Sequence, residues 1–282
     1  MKLEGKRILL TGASGGIGEA LALELAAQGA HLLLHGRRAS ALERLRKELP
    51  HPERHQTVTA DLGSPQERAR LLQHPALDDG LDVLINSAGC NQFAWLEDQS
   101  SEQVTRQLLL NVEAPIQLTR ALLPRLRKPA VIMNIGSSLG AIGYAGYSVY
   151  CASKFALRGF SEALGRELEG SGIKVLHFAP RATRTHLNSE AAYAMNAELG
   201  THTDSPQDVA EEAVIALCNE TRRSWLGWPE KLFVRLNGLL PALVDMALAK
   251  QRPIIERHAR RTASPAPDHR SDPACATNEK EH

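Results

Sequence analysis

Six short apolar runs, each followed by a longer stretch of helical periodicity, leave this chain very few architectures. The runs fall at residues 7–11, 30–35, 56–60, 81–86, 130–135 and 173–179 and are, as a set, rich in Val, Ile and Leu. That is the pattern of parallel strands buried on both faces. Between the first two runs, Ile17, Leu21 and Leu25 recur at i, i+4 and i+8, and Gly29 follows as a helix stop. Strand–helix alternation repeated this often predicts right-handed βαβ units, and so an α/β fold. Its core is a doubly wound parallel sheet with helices on both faces. No internal boundary is visible before residue 228, so residues 1–228 read as one domain. Residues 229–261 extend it, with Leu232, Phe233, Leu236, Leu239, Leu240, Leu243, Val244 and Leu248 in a helical apolar stripe broken at Pro241. Residues 262–282 hold Pro, Ala, Ser, Asp and Glu with almost no large apolar side chain, and are expected to be a disordered tail.

Composition removes several functions. A net charge of +1 gives no general attraction to nucleic acid or anionic lipid. Cys90, Cys151, Cys218 and Cys275 are widely spaced, without a C-x-x-C pair. That argues against a disulfide framework or a zinc site and for a reducing compartment. The first strand begins too early to leave room for a signal peptide, and no uncharged apolar run reaches the ~18 residues of a membrane span. A cytoplasmic protein is expected.

Directly after the first run stands Thr11-Gly12-Ala13-Ser14-Gly15-Gly16-Ile17-Gly18, opening the first long helix. Glycines let backbone approach a pyrophosphate, and the helix N-terminus supplies free N–H groups and a positive dipole end. Strand, glycine loop and helix in this order make a Rossmann-type dinucleotide site the favoured reading. The second run ends His35-Gly36-Arg37-Arg38, without the acidic residue that would hold a ribose 2′-hydroxyl. Arg37 and Arg38 could pair with a 2′-phosphate instead, which favours NADP(H), with NAD(H) the alternative. Two solvated arginines at a helix start are the competing reading.

Tyr150 and Lys154 are four residues apart in a helical stretch, so their side chains share a face. A phenol titrates near 10, and bringing it to 7 or 8 requires about 4 kcal/mol in favour of its charged form. An ammonium ~4 Å away supplies about that much at an effective dielectric of ~20. The spacing therefore permits a proton-transfer catalyst.

Cradle and Tyr–Lys pair together resemble the short-chain dehydrogenase/reductase family, over residues 5–228. The family's T-G-x-x-x-G-x-G corresponds to Thr11 through Gly18. Its adenine-contacting acid corresponds to Asp61, followed by Leu62. Its N-N-A-G appears as Asn86-Ser87-Ala88-Gly89, with Ser87 replacing the second Asn, and its relay Asn corresponds to Asn111. Aligning Asn134-Ile135-Gly136-Ser137-Ser138 with N-I-S-S makes Ser137 the catalytic serine, thirteen residues before Tyr150, and Ser138 the fallback. After the sixth run, Pro180, Thr183 and Thr185 fall where the family contacts nicotinamide, while Arg181 replaces the usual glycine. Arg181 either meets an anionic part of substrate or cofactor, or points to solvent.

The resemblance implies an NADP(H)-preferring oxidoreductase that interconverts a carbonyl and a secondary alcohol. Tyr150 is its general acid/base, Ser137 orients the substrate oxygen, Lys154 binds the nicotinamide ribose, and Asn111 holds a relay water. It also implies a homodimer or homotetramer joined through the helices carrying Asn111 and Tyr150. A catalytically idle nucleotide sensor is the alternative from another class.

Other residues read as structural. His31 with His35, and His51 with His55, lack the partners of a metal site and read as polar surface or strand-end residues. Trp225 and Trp228 bracket the expected last strand as packing residues. Tyr193, Met195 and Leu199 suggest a moderately apolar small-molecule substrate. The 229–261 extension has two readings. Phe233, Leu236 and Leu240 line a substrate path, or the segment, with Lys231, Arg235, Lys250, Arg252, Arg257, Arg260 and Arg261, touches a membrane surface.

Overall fold

A computed structural model describes residues 1–261. The expected tail at 262–282 lies outside the described residues. Seven parallel strands form one sheet in the order β3-β2-β1-β4-β5-β6-β7. They are β1 (Arg7–Leu10), β2 (His31–Gly36), β3 (Gln56–Thr59), β4 (Leu81–Asn86), β5 (Leu126–Ile135), β6 (Ile173–Ala179) and β7 (Arg223–Trp225). The first six match the six apolar runs. The seventh ends before the Leu226-Gly227 segment expected to carry it. Its three residues include no aliphatic one, and only pairing to β6, His177 to Arg223 and Ala179 to Trp225, defines it.

Alternation along each strand sends side chains to two separate cores. Ile8, Leu10, Leu32, Leu34, Val83 and Ile85 pack with α1 (Gly16–Ala27), α2 (Ala39–Glu48) and α8 (Pro206–Cys218). Leu9, Leu33, Leu84 and Ile132 face the opposite side, against α3 (Pro65–Leu72), α5 (Ala114–Leu122) and α6 (Ser148–Glu167). α4 (Ser101–Leu108) runs into α5 through a π-helical turn at Leu109–Glu113. Local signals start these helices: Ser100 with Gln103 and Ser205 with Asp208 form capping boxes for α4 and α8.

The strand order reverses between β1 and β4, so a crevice opens at the carboxyl ends of these two central strands. The glycine loop, the 86–89 segment and the turns after β5 and β6 all lie on that edge.

The extension is three helices, where one interrupted stripe was expected: α9 (Trp228–Leu239), α10 (Pro241–Ala249) and α11 (Arg252–Arg261). α11 packs on α7 (Glu190–Glu198), placing Ile255 and Ala259 in an apolar cluster with Phe93, Tyr147, Tyr150, Cys151 and Met195. α9 and α10 pack mainly on each other. Trp228 is largely exposed at the start of α9, so of the two tryptophans only Trp225 packs as expected.

His35 and His55 are buried, not on the surface. His55 Nδ1 accepts from Leu32 N–H at 3.2 Å, and its Nε2 meets Pro50 O at 2.8 Å. His35 joins the glycine loop to the third strand's end: Nδ1 accepts from Gly12 N–H at 3.4 Å, and Nε2 lies 3.0 Å from Ala60 O. A strand-end histidine with both ring nitrogens used is part of the scaffold.

Candidate active site

The glycine loop is shaped by close backbone contact. Gly12 has φ +72°, and a Cβ there would lie 2.8 Å from Ala88 Cα, so the loop touches the 86–89 segment directly. Thr11 seals that contact: its Oγ1 accepts from Ser87 N–H at 3.0 Å and Ala88 N–H at 3.1 Å. Its hydroxyl is thus committed to protein. Gly15 caps α1 without any side-chain cap, which leaves first-turn N–H groups for an anion. A Cβ on Gly16 would sit 2.7 Å from Thr185 Cγ2, so Thr185 lies over the cradle, as expected of a residue that closes on a cofactor. Pro180 O accepts from Ser138 N–H at 2.9 Å, which ties the turns after β5 and β6 together. Ser14 borders Gly36, where a Cβ would meet Ser14 Oγ at 2.7 Å. Arg37 and Arg38 are exposed just beyond, and Arg38 reaches Ser14 O at 3.4 Å. A cradle of backbone with no room for a side chain at Gly12, Gly16 or Gly18, a bare helix N-terminus and two arginines at the end of β2 fit a dinucleotide with an added phosphate.

Four expected contacts have other engagements. Asp61 forms a two-pronged ion pair with Arg106 at 2.8 and 2.9 Å. Leu62 points into the core. The Asn86 amide donates to Thr119 Oγ1 and Asn134 Oδ1, a buried structural bond. Thr183 is buried, donating to Arg181 O at 3.0 Å and bridging to Asp204.

Tyr150, Ser137 and Lys154 do converge. All three are buried, and Ser137 lies close enough to the Tyr150 hydroxyl to pull its pKa down. Lys154 Nζ lies 5.7 Å from the Tyr150 ring centre and donates to Ile135 O at 3.0 Å. The expected acidification of Tyr150 is not what the fold produces. Burial pushes the phenol up to about 12, with Ser137 pulling the other way. Burial likewise lowers Lys154 to about 8. The ammonium sits against the ring and a carbonyl, and desolvation outweighs its pull on the phenol. Tyr150 is therefore held protonated at neutral pH.

Asn111 lies within the π-helical turn. Its Nδ2 donates to Cys90 O at 2.8 Å and Ser153 Oγ at 3.0 Å, and its Oδ1 accepts from Cys90 N–H at 2.9 Å. Both amide hydrogens are used, so its side chain clamps the segment after Gly89. A Cβ on Gly89 would meet Asn111 Oδ1 at 3.0 Å and Lys154 Nζ at 3.8 Å, so glycine there keeps these groups adjacent.

Arg181 neither faces solvent nor is kept for an external anion. It grips Asp204 at 2.8 and 2.7 Å and reaches Glu230 at 3.4 Å, joining the turn after β6, the approach to α8 and the start of α9. Asp204 is buried, so losing one partner strands the other. Arg181→Gly is expected to lower unfolding stability by about 2–3 kcal/mol, measured by urea titration.

Two neighbours of Lys154 carried no sequence signal. Cys90 is fully buried beside it. His177, on β6 next to Asn134 of β5, is buried edge-on to Trp225, and its Nε2 has no hydrogen-bond partner. Gly136 leaves the room this ring occupies. Burial depresses His35 and His177 from the usual 6.5 to about 4. Both are then neutral when folded and bind a proton on unfolding between pH about 6.5 and 4. Stability should be full above pH 6.5 and fall as pH drops toward 4, by on the order of 2 kcal/mol per ring at pH 5. Urea unfolding at pH 7 and 5 measures this, and His177→Gln should flatten the slope.

An open parallel sheet whose switch point carries a phosphate-shaped cradle, with a protonated tyrosine buried beside it, defines a dinucleotide-dependent oxidoreductase. Comparison with known proteins agrees. The family model described as "short chain dehydrogenase" matches residues 6–196. Dehydrogenase/reductase SDR family member 7B of Bos taurus is 33% identical over 261 residues, covering 86% of this chain and 80% of that protein. The NADP-dependent 3-hydroxy acid dehydrogenase of Schizosaccharomyces pombe is 32% identical over 236 residues, covering 79% and 89%. The solved structure of a short chain dehydrogenase from Burkholderia cenocepacia in complex with NADP superposes with a TM-score of 0.72 at 29% identity, covering 80% of this chain and 97% of that one. The chain belongs to the short-chain dehydrogenase family.

Proposed function

We propose that this protein is an NADP(H)-preferring reductase of carbonyl groups on apolar small molecules, with Tyr150 as the general acid. The observation that carries the reading is the convergence of buried Tyr150, Ser137 and Lys154, with the Lys154 ammonium 5.7 Å from the phenol ring. The bound dinucleotide would supply the hydride. Gly12, Gly15, Gly16 and Gly18 would hold its pyrophosphate against the α1 N-terminus, and Arg37 and Arg38 its 2′-phosphate. Ser137 orients the substrate oxygen toward the phenol, and Tyr150 donates the proton that completes the alcohol. Burial keeps the phenol protonated at neutral pH, the form in which a general acid must stand before it gives its proton to the substrate oxygen. Lys154 keeps a positive charge close by below pH about 8. The cluster of Phe93, Tyr147, Met195 and Ile255 around the phenol supports an apolar substrate. Met195 belongs to that cluster, whereas the Tyr193 hydroxyl donates to Thr185 O at 2.7 Å.

Reduction of a ketone and aldehyde panel, followed by consumption of NADPH or NADH, tests the reading. NADPH turnover should dominate. Arg37→Ala/Arg38→Ala should weaken NADPH roughly 10–100-fold while barely touching NADH, the loss expected for charge-assisted bonds to one phosphate. An equal effect on both cofactors would restore the NAD(H) alternative. Exposed Leu108 on α4 and Phe155 on α6 support a homodimer or homotetramer through these helices, which sedimentation equilibrium measures. Cys90, Cys151 and Cys218 are held as thiols, which suits a reducing cytoplasm.

A further inference from the structure

α9 and α10 present an unusual surface. Trp228 is 73% exposed, Leu239 79% and Met246 60%, with Leu232, Phe233, Leu240 and Leu243 also about half exposed or more. Seven of the twelve exposed large apolar side chains among the described residues thus lie within nineteen consecutive positions, 228–246. The inner side is already served: Val244 is buried, and Asn237 Nδ2 donates to Ala141 O at 2.9 Å, just beyond the turn that carries Ser137 and Ser138. A helix pair apolar on its outer side as well needs a cover.

The chain bends by 119° between the two helices, and Leu239, Leu240, Leu243 and Met246 lie at and just after that elbow, all of them exposed. Lys231, Arg235, Lys250 and Arg252 are exposed beside it and form no ion pair among the described residues, whereas Arg257 is paired with Glu198 and Arg260 with Glu97 and Glu256. Of the acidic groups there, Glu230 is held by Arg181, and Asp245 is exposed. No single helix among the described residues is long and apolar enough to cross a membrane. The elbow has the makings of an interfacial anchor: apolar apex, basic shoulders and insufficient straight length to span.

We propose that the α9–α10 elbow docks on an anionic phospholipid surface, seating Leu239, Leu240, Leu243 and Met246 among the acyl chains with the four basic residues at the headgroups. Two other covers fit less well. Residues 262–282 contain no Leu, Ile, Val, Met, Phe, Tyr or Trp with which to bury such a patch. A second copy, face to face, would bring the basic shoulders against their own kind. Lipid headgroups offer the opposite charge, and acyl chains adapt to any contour. Through the Asn237–Ala141 tether, docking brings the edge carrying the catalytic turn to the lipid boundary. The docking itself does not depend on the reaction proposed above.

The test is co-sedimentation of the full chain with vesicles of phosphatidylcholine alone and of phosphatidylcholine mixed with phosphatidylserine. Wild type should pellet with the anionic vesicles and be released by salt. Leu239→Glu/Leu243→Glu/Met246→Glu should bind at least about tenfold less, with unchanged melting and unchanged reduction of water-soluble carbonyls. Lys231→Gln/Arg235→Gln should reduce the preference for anionic vesicles. Failure of wild type to bind anionic vesicles, or equal binding by the triple variant, overturns the proposal. So does a wild-type dimer that the triple variant converts to monomer without any vesicle binding.

Discussion

Replacing Tyr150 by Phe is expected to lower carbonyl turnover by about 10²–10⁴-fold while NADPH binding stays within a fewfold of wild type. The substitution removes one oxygen and little else. The ring keeps its place 6.1 Å from the Tyr147 ring and within the Phe93–Met195–Ile255 cluster. The cradle at Gly12–Gly18 and the arginines after β2 do not touch the phenol, so equilibrium binding should persist, as read by quenching of protein fluorescence or by calorimetry. What disappears is the proton donor and the partner of the Ser137 hydroxyl. Unchanged turnover would refute the assignment of Tyr150, and lost cofactor binding would mean the ring was holding the cleft open. An idle nucleotide sensor would show no turnover in wild type or variant. Ser137→Ala removes the orienting contact alone and should cost less than the loss of the proton itself.

The sequence revealed most where one local pattern carried the physics. Buried parallel strands must be apolar on both faces, so β1, β2 and β4 to β6 stand out from their neighbours. Tyr150 and Lys154 fall together because helix geometry fixes i and i+4. β7 escaped because Arg223-Ser224-Trp225 is a strand only by virtue of the β6 edge it pairs with. Arg181 could not be read because its partners, Asp204 and Glu230, are 23 and 49 residues away. Spacing likewise identifies Tyr150 but says nothing of its protonation, which depends on side chains from α7 and α11 that close over it. The same distance hides His35 and His177: a polar residue in an apolar run does not announce whether a backbone carbonyl or a tryptophan edge awaits it. In the extension, periodicity found the apolar stripe. It could not tell whether protein covers that stripe, of which only Val244 is buried.

Gly12→Ala is expected to weaken NADPH binding by at least about 100-fold and to lower unfolding stability by about 2–4 kcal/mol. Two independent effects add. The residue sits at φ +72°, where a side chain is strained whatever the space. Its Cβ would also lie 2.8 Å from Ala88 Cα and 2.9 Å from Ala88 N. Those are backbone atoms, so no rotamer change relieves the contact. Relief requires the glycine loop and the 86–89 segment to separate, pulling Ala88 and Ser87 from Thr11 Oγ1 and Gly12 from His35 Nδ1. Gly15→Ala is the matched control. Gly15 has an ordinary extended backbone, φ −102°, and the nearest atom to its Cβ would be Gly12 O at 3.5 Å. The folded protein alone therefore accepts alanine there, and stability should change by less than about 1 kcal/mol. If Gly15→Ala nonetheless weakens NADPH, the methyl group must be meeting the cofactor, which places the pyrophosphate against the loop. If it binds as wild type does, the phosphates lie elsewhere and the cradle's role in binding is refuted. Urea titration and cofactor titration on the two variants separate damage to the loop from obstruction of its ligand.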